Sequence, residues 1–386
     1  MGAQAKCEIC DFQSHYLAEH LKQVHALSVE DYLTRYPDSG VVSDTLMTEW
    51  ESQGQFRREP PPMPEALRLV FAGASFPVNV DVPEDACLPL PDYYMIPTDD
   101  ALGRDVHHAA VALANHRSMY IWGMPGSGKD AFFHAWSALT RSPAKPFPIQ
   151  PGLDIQSWFY SRTFSATSTM WEEGELLTAL RDGYKSPISG RVIPYLILLS
   201  DMDRADPRSQ TEALRLIMDS ISGRIKGPRG ETYKVLPGTR IVATGNTSGS
   251  GDPRGRMISA NSIDAAMFDR FERKFEFHWM GWKDEEKIAI QKFPFLAEQY
   301  PDCFREVGAS TTALREAIKL NTLYGEFSHR AVCAWLGHAQ DLLLSGEPKK
   351  NLLIKAAKAF LDGLPDEASK LTAQRLIDPS LSGGAI

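Results

Sequence analysis

The stretch "GMPGSGKD", residues 123–130, constrains this chain more than any other. It follows the apolar run "MYIW" and precedes "AFFHAWSAL", so a buried strand is expected to feed a glycine-rich loop that opens a helix. Gly123, Gly126, Gly128 and Lys129 supply the GxxxxGK pattern, with Pro125 and Ser127 between them. Such a loop aims backbone N–H groups and the positive end of a helix dipole at phosphate oxygens, and Lys129 adds charge for the outer phosphates. The last letter is unusual, because Asp130 stands where Ser or Thr normally contacts magnesium. A carboxylate repels a phosphate oxygen by roughly 4 kcal/mol at about 4 Å and an effective dielectric of about 20, so Asp130 requires a cation between the two.

Further apolar strands are expected at "PYLILLS" (194–200) and "TRIVATGN" (239–246), with helical "QTEALRLIMDSI" between them. "LRLVF" and "FPVNVDV" read as earlier strands, and "ALGRDVHHAAVALANH" as the helix before "MYIWG". Apolar strands alternating with helices predict an α/β fold, a parallel sheet covered on both faces. Four segments, "KDEEKIAIQKF", "STTALREAIKLNTL", "SHRAVCAWLGHAQDLLL" and "KNLLIKAAKAFLDGL", have helical spacing and predict a C-terminal helical lid. Four prolines in "EPPPMPEA" (59–66) favour an extended spacer. The expected organisation is a small module over 1–50, a Pro-rich linker over 51–66, an α/β nucleotide-binding domain over 67–282 and a lid over 283–386.

Ordered blocks extend the motif. "GMPGSGKD" resembles Walker A, and "LILLSDMDRADP" resembles a Walker B strand in which "DE" would be followed by an apolar residue and Asp or Asn. "TRIVATGNTSGSGDPRG" resembles a sensor 1 segment, "SIDAAMFDRF" a helix ending in an arginine finger, and "SHRA" a sensor 2 block that usually reads "SPRA". Over residues 95–340 the chain thus resembles the MoxR-like AAA+ ATPases, and within them the ATPase subunit of cobaltochelatase. The resemblance implies an AAA+ P-loop fold, ATP and Mg2+ as cofactors, ATP hydrolysis coupled to remodelling of a partner, a homo-oligomeric ring that is most often hexameric, and a partner bearing a von Willebrand factor A domain. It implies Asp201 as the water-positioning residue, Asn246 as sensor 1, Arg270 as the finger acting on a neighbouring subunit and Arg330 as the nucleotide contact from the lid. Arg273 is a rival for the finger, and an ion pair of Arg270 with Asp269 or Glu272 is the bland alternative.

In this register Ser200 takes the place of the magnesium-side Asp. Asp130 and Ser200 then read as a reciprocal exchange that keeps one acid and one hydroxyl around the ion. A second register makes Asp201 the Walker B acid and leaves Met202 at the base position. Asp201 is one methylene shorter than Glu, and misplacement of about 1 Å slows chemistry about a hundredfold, so hydrolysis is expected to be slow. Trp158, Phe159 and Tyr160 lie where such ATPases carry insertions, although adjacent aromatics more often belong to a core. "GRIKGPRGETYKV" reads as a hairpin with Lys226, Arg229 and Lys234 on it.

The N-terminus carries a different pattern, Cys7-x2-Cys10-x9-His20-x4-His25. Two thiolates on a knuckle and two imidazoles on a helix suit a closed tetrahedral Zn2+ site. With "ALSVEDYLTRYP" this segment resembles the Ros/MucR-type zinc finger over residues 5–40. Residues 1–60 hold five Lys or Arg against ten Asp or Glu, so a docking role fits better than phosphate contact. The remaining cysteines are scattered and the net charge is -8, which disfavours a disulfide framework and nucleic acid as a partner. No apolar stretch reaches membrane-spanning length and no export signal is evident, so a cytoplasmic address is expected. Two other functions remain open: a subunit of a metal (cobalt) chelatase, and a weakly hydrolysing, nucleotide-gated assembly or DNA-binding protein.

Overall fold

A computed structural model describes residues 4–37, 39–46, 67–98, 101–164, 169–206, 211–251, 260–263 and 265–378. The proline-rich spacer lies outside the described residues. The chain divides into two compact units, Met1–Ala66 and Leu67–Ile386.

In the smaller unit a two-stranded ribbon, β1 (Ala5–Lys6) with β2 (Gln13–Ser14), precedes helices α1 (Ala18–Val24) and α2 (Val29–Arg35). Leu17, Leu21 and Tyr32 are fully buried between them, whereas Phe12 stays exposed and stacks on His20.

The larger unit begins with the antiparallel hairpin of β3 (Arg68–Phe71) and β4 (Ala74–Pro77), then helix α3 (Leu102–Ala114). "LRLVF" and "FPVNVDV" thus pair with each other and do not join the parallel sheet. Strand β5 (Met119–Trp122) runs into the glycine loop and helix α4 (Lys129–Thr140), followed by β6 (Ala144–Pro148). A hairpin of β7 (Tyr160–Phe164) and β8 (Thr169–Glu173), helix α5 (Glu175–Asp182) and the short pair β9 (Tyr184–Lys185) with β10 (Val192–Ile193) come next. Strand β11 (Leu196–Ser200), helix α6 (Thr211–Ile221), hairpin β12 (Arg224–Lys226) with β13 (Thr232–Lys234), strand β14 (Arg240–Gly245), helix α7 (Ala265–Asp269) and strand β15 (Arg273–Glu276) complete the α/β part.

Five of these strands form one parallel sheet in the order β15-β5-β14-β11-β6. Taken along the chain, that is fifth, first, fourth, third, second, with the glycine loop after the first: an AAA+ P-loop arrangement. The inner strands are near-continuous apolar runs because both faces are covered. On one face Met119, Ile121, Leu198 and Val242 meet Phe132, Phe133 and Trp136 of α4. On the other, Tyr120, Ile197, Leu199 and Ala243 meet α5 and α6. The two outermost members, "AKPFP" and "RKFE", carry no apolar run. Each pairs on one side only, and an edge tolerates proline and charge. Phe159 is wholly buried with Trp158 and Tyr160 packed around it, so this aromatic trio belongs to the core.

Beyond the sheet lie α8 (Trp282–Lys292), α9 (Pro294–Gln299), α10 (Asp302–Lys319), α11 (His329–Leu344), α12 (Leu352–Ala356), α13 (Lys358–Leu361) and α14 (Glu367–Ile377), packed around a core of their own. "KNLLIKAAKAFLDGL" is two short helices rather than one. Ala357, between them, keeps right-handed helical angles and its carbonyl accepts from both Phe360 and Leu361, so the break is a local tightening.

Gly245, at the end of β14, marks a close approach: a Cβ there would lie 2.0 Å from Tyr120 Oη, which donates to Thr247 O. Gly245→Ala is therefore expected to destabilise the larger unit by about 1–3 kcal/mol, read as a lower midpoint in chemical denaturation. An unchanged midpoint would contradict that packing.

Candidate nucleotide site and candidate zinc centre

The loop takes the backbone shape its glycines permit. Gly126 and Gly128 have φ of +74° and +86°, in the left-handed region open to glycine, and Gly128 caps α4. A Cβ on Gly123 would lie 2.0 Å from Phe277 O of the chain leaving β15, and one on Gly126 would lie 2.6 Å from Ser328 Cβ. The loop is thus clamped between the sheet edge and the lid. Lys129 is 8% exposed and its Nζ donates to Gly123 O (2.8 Å), Met124 O (3.3 Å) and Asn246 Oδ1 (3.3 Å). Burial lowers its ammonium below the usual value, with Asp130, Asp201 and Asp203 working against that. Ser127 Oγ is buried with no hydrogen-bond partner. An orphaned hydroxyl, two left-handed glycines and a lysine satisfied by loop carbonyls fit the outer phosphates of a nucleotide such as ATP.

Around Lys129 the turn after β11 brings Asp201 and Asp203 together with Asn246 at the end of β14, and Asp130 joins them from the first turn of α4. Asp201 leaves β11 in a left-handed conformation (φ 54°) and lies 3.5 Å from both Asn246 Nδ2 and Arg204 Nε. Asn246 therefore spans the gap between Lys129 and Asp201. Its own backbone is pinned by Asp203, a fully buried carboxylate whose Oδ2 accepts from Asn246 N (2.7 Å), Thr247 N (2.9 Å) and Thr247 Oγ1 (3.1 Å). Burial raises the Asp203 carboxyl above its usual range, and those donors oppose the rise.

Asp130 receives its hydrogen bond from Thr244 Oγ1 of β14, at 2.7 Å. Ser200, half-buried at the end of β11, is joined to the segment just after β6 through its backbone carbonyl, which accepts from Ile149 N. Arg270 is exposed and pairs with Asp219 of α6 at 3.2 Å, rather than with Asp269 or Glu272. Glu272 pairs instead with Arg117, and Arg273 donates to the Glu272 carbonyl. Arg270 lines a cavity of about 410 Å³ with His116, Arg117 and Glu272. Arg330 is exposed on the first turn of α11, two residues beyond the Ser328 that abuts Gly126.

The sequence reading missed the network that seats the lid against the loop. Trp279 Nε1 donates to Pro125 O (3.0 Å), and Arg315 lies over the Trp279 ring. Arg315 grips the fully buried Glu285 through two hydrogen bonds of 2.6 and 3.0 Å, and His329 Nδ1 meets the same carboxylate at 2.8 Å. Burial would raise Glu285, but His329 and Arg315 hold it below its usual range. Burial likewise disfavours charge on His329, yet hydrogen bonds with Cys333 and Glu285 push it up to about 9. Thr244 was also overlooked, although a hydroxyl within the otherwise apolar "IVATG" was the visible signal.

In the smaller unit, Cys7, Cys10, His20 and His25 bring their ligand atoms within 4.8 Å of one another. Cys10 Sγ lies 3.2 Å from both His20 Nε2 and His25 Nε2, and Cys7 Sγ 3.6 Å from His25 Nε2. Donors on a tetrahedral zinc are separated by roughly 3.5 Å, so the set fits that ion. His15 stands apart, bonded to Ser43 Oγ.

No family model matches this chain, and no curated protein matches it. Among solved structures it is similar to a mutant of Thermotoga maritima RuvB (11% identity, TM-score 0.47, covering 76% of this chain and 81% of that one). The Thermotoga maritima RuvB Holliday junction branch migration motor (12%, TM-score 0.44, 75% and 79%) and Brucella abortus NtrX in complex with ATP (14%, TM-score 0.45, 74% and 64%) are further examples. The fold assignment rests on strand order and the glycine loop.

Two outcomes follow from this geometry. Because Glu285 is held below its ordinary 4.5, its contribution to stability is present above that value and is lost as pH falls through its lower folded value. Glu285→Gln should cost about 3 kcal/mol at neutral pH by leaving Arg315 unpaired, and the gap from wild type should shrink below about pH 4.5, measured by denaturation followed through tryptophan fluorescence. For the smaller unit, a zinc chelator added to the full chain should abolish hydrogen-exchange protection over residues 4–46 while leaving α3–α14 protected, and Cys7→Ser should do the same.

Proposed function

We propose that this chain is a ring-forming AAA+ ATPase of the MoxR and cobaltochelatase-subunit type, cytoplasmic, which uses ATP cycles to remodel a partner protein. The observation that carries this reading is Asn246 reaching Lys129 at 3.3 Å and Asp201 at 3.5 Å. One amide thereby links the phosphate-binding lysine to the acid at the end of the next strand, where an attacking water has to be oriented. Gly123, Gly126, Gly128 and Ser127 bind phosphate oxygens, Asp130 and Ser200 hold the cation side, and Arg330 approaches the nucleotide from the lid. Magnesium, when bound, neutralises charge between the carboxylates and the phosphates. Arg270, exposed and paired with Asp219, acts on the nucleotide of the adjacent subunit, which makes a ring necessary for turnover. The zinc module recruits the client, and a von Willebrand factor A domain protein is the partner the family resemblance favours.

A second reading, a nucleotide-gated assembly with little hydrolysis, is favoured by the left-handed turn and Arg204 contact of Asp201. Particle sizing and phosphate release, each with and without ATP and magnesium, separate the two. The first reading expects a ring and slow turnover, both lost in Lys129→Ala. Asp130→Thr and Ser200→Asp should each impair turnover at least tenfold, with the double variant recovering. A ring that forms with nucleotide but releases no phosphate supports the second reading.

A further inference from the structure

Thr244 is 1% exposed, and its hydroxyl does two jobs. It donates to Asp130 Oδ1 at 2.7 Å and accepts from Asp201 N at 3.4 Å. The first bond joins β14 to the first turn of α4; the second joins β14 to the turn after β11. Sheet geometry explains why Thr244 occupies this position. Leu199 pairs with Ala243 in the parallel register, so Ser200 and Thr244 follow at the same level. Side chains alternate between faces, and Leu198 and Val242 point to α4, so positions 200 and 244 share that face. Two hydroxyls are therefore available beneath Asp130, and the one on β14 takes its carboxylate.

We propose that Thr244 is the positioning residue for the cation side of this site: it orients the Asp130 carboxylate, and so sets how much magnesium nucleotide binding requires. This rests on the proposed nucleotide reading. A hydroxyl has one proton, and that proton is committed to Asp130, which fixes one carboxylate oxygen and leaves the other for the cation. Without it the carboxylate turns freely next to the phosphates, and the ordering falls on the ion. Ser200 is left as the residue whose oxygen remains available to the metal side.

The test is the magnesium midpoint for binding of a fluorescent ATP analogue to the full-length protein. Thr244→Val should raise the midpoint about tenfold, the loss expected for one hydrogen bond to a charged group, whereas Thr244→Ser should keep the wild-type value. In an Asp130→Asn background the valine change should add less than a twofold shift, because the bond it removes no longer serves a carboxylate. If Thr244→Val fails to fold in a thermal melt, Thr244→Ala provides the same comparison. A midpoint within twofold of wild type in a folded variant, or an equal shift with and without Asp130, overturns the proposal. Failure of the wild-type chain to bind the analogue at any magnesium concentration overturns instead the nucleotide reading beneath it.

Discussion

The larger unit depends on how one buried ammonium is held. Lys129 lies at the mouth of the sheet, satisfied by two loop carbonyls and the Asn246 amide, with Asp130, Asp201 and Asp203 near enough to support its charge. Three acids face two cations here, Lys129 and the Arg204 that lies 3.5 Å from Asp201, so the pocket holds more carboxylates than bases. Asp203 answers part of that deficit by taking three hydrogen bonds from the Asn246–Thr247 turn. Asp130 answers another part by turning to Thr244. Both carboxylates are thus held from the end of β14, one by Thr244 and the other by the Asn246–Thr247 turn.

The same loop is where the lid attaches. Pro125 takes a hydrogen bond from Trp279, Gly126 has room only for a hydrogen beside Ser328, and Arg315 joins Trp279 to Glu285. A buried bidentate pair is costly to break on one side only, so this seam is held in a single arrangement. Arg330 is the second residue of the helix that Ser328 caps, and it is exposed there. The smaller unit obeys a different constraint. Its core is a handful of side chains around Leu17, Leu21 and Tyr32, beside a Cys/His cluster whose ligand atoms are spaced to hold a metal ion.

Much of this was legible in local spacing. The glycine loop, the helix it opens, the inner strands "MYIW", "LILLS" and "RIVATG", and the four zinc-type ligands are short-range patterns, and each takes the form its residues prescribe. The edge strands were not legible, since an edge needs no apolar run. Nor was the pairing of "LRLVF" with "FPVNV", because an apolar run does not name its partner. Glu285, Arg315 and His329 looked like ordinary helix charges, being separated by 44 residues in sequence and joined only in the lid core.

By itself, the sequence determined that a phosphate-type loop follows a buried strand, that helices flank a parallel sheet, and that two cysteines and two histidines stand at metal spacing. Only the tertiary structure decided that Asp130 meets Thr244 and that Asp203 anchors Asn246. The physical reason is strand order: β14 lies between β5 and β11, and that insertion of a late strand between two earlier ones creates the neighbours of the site.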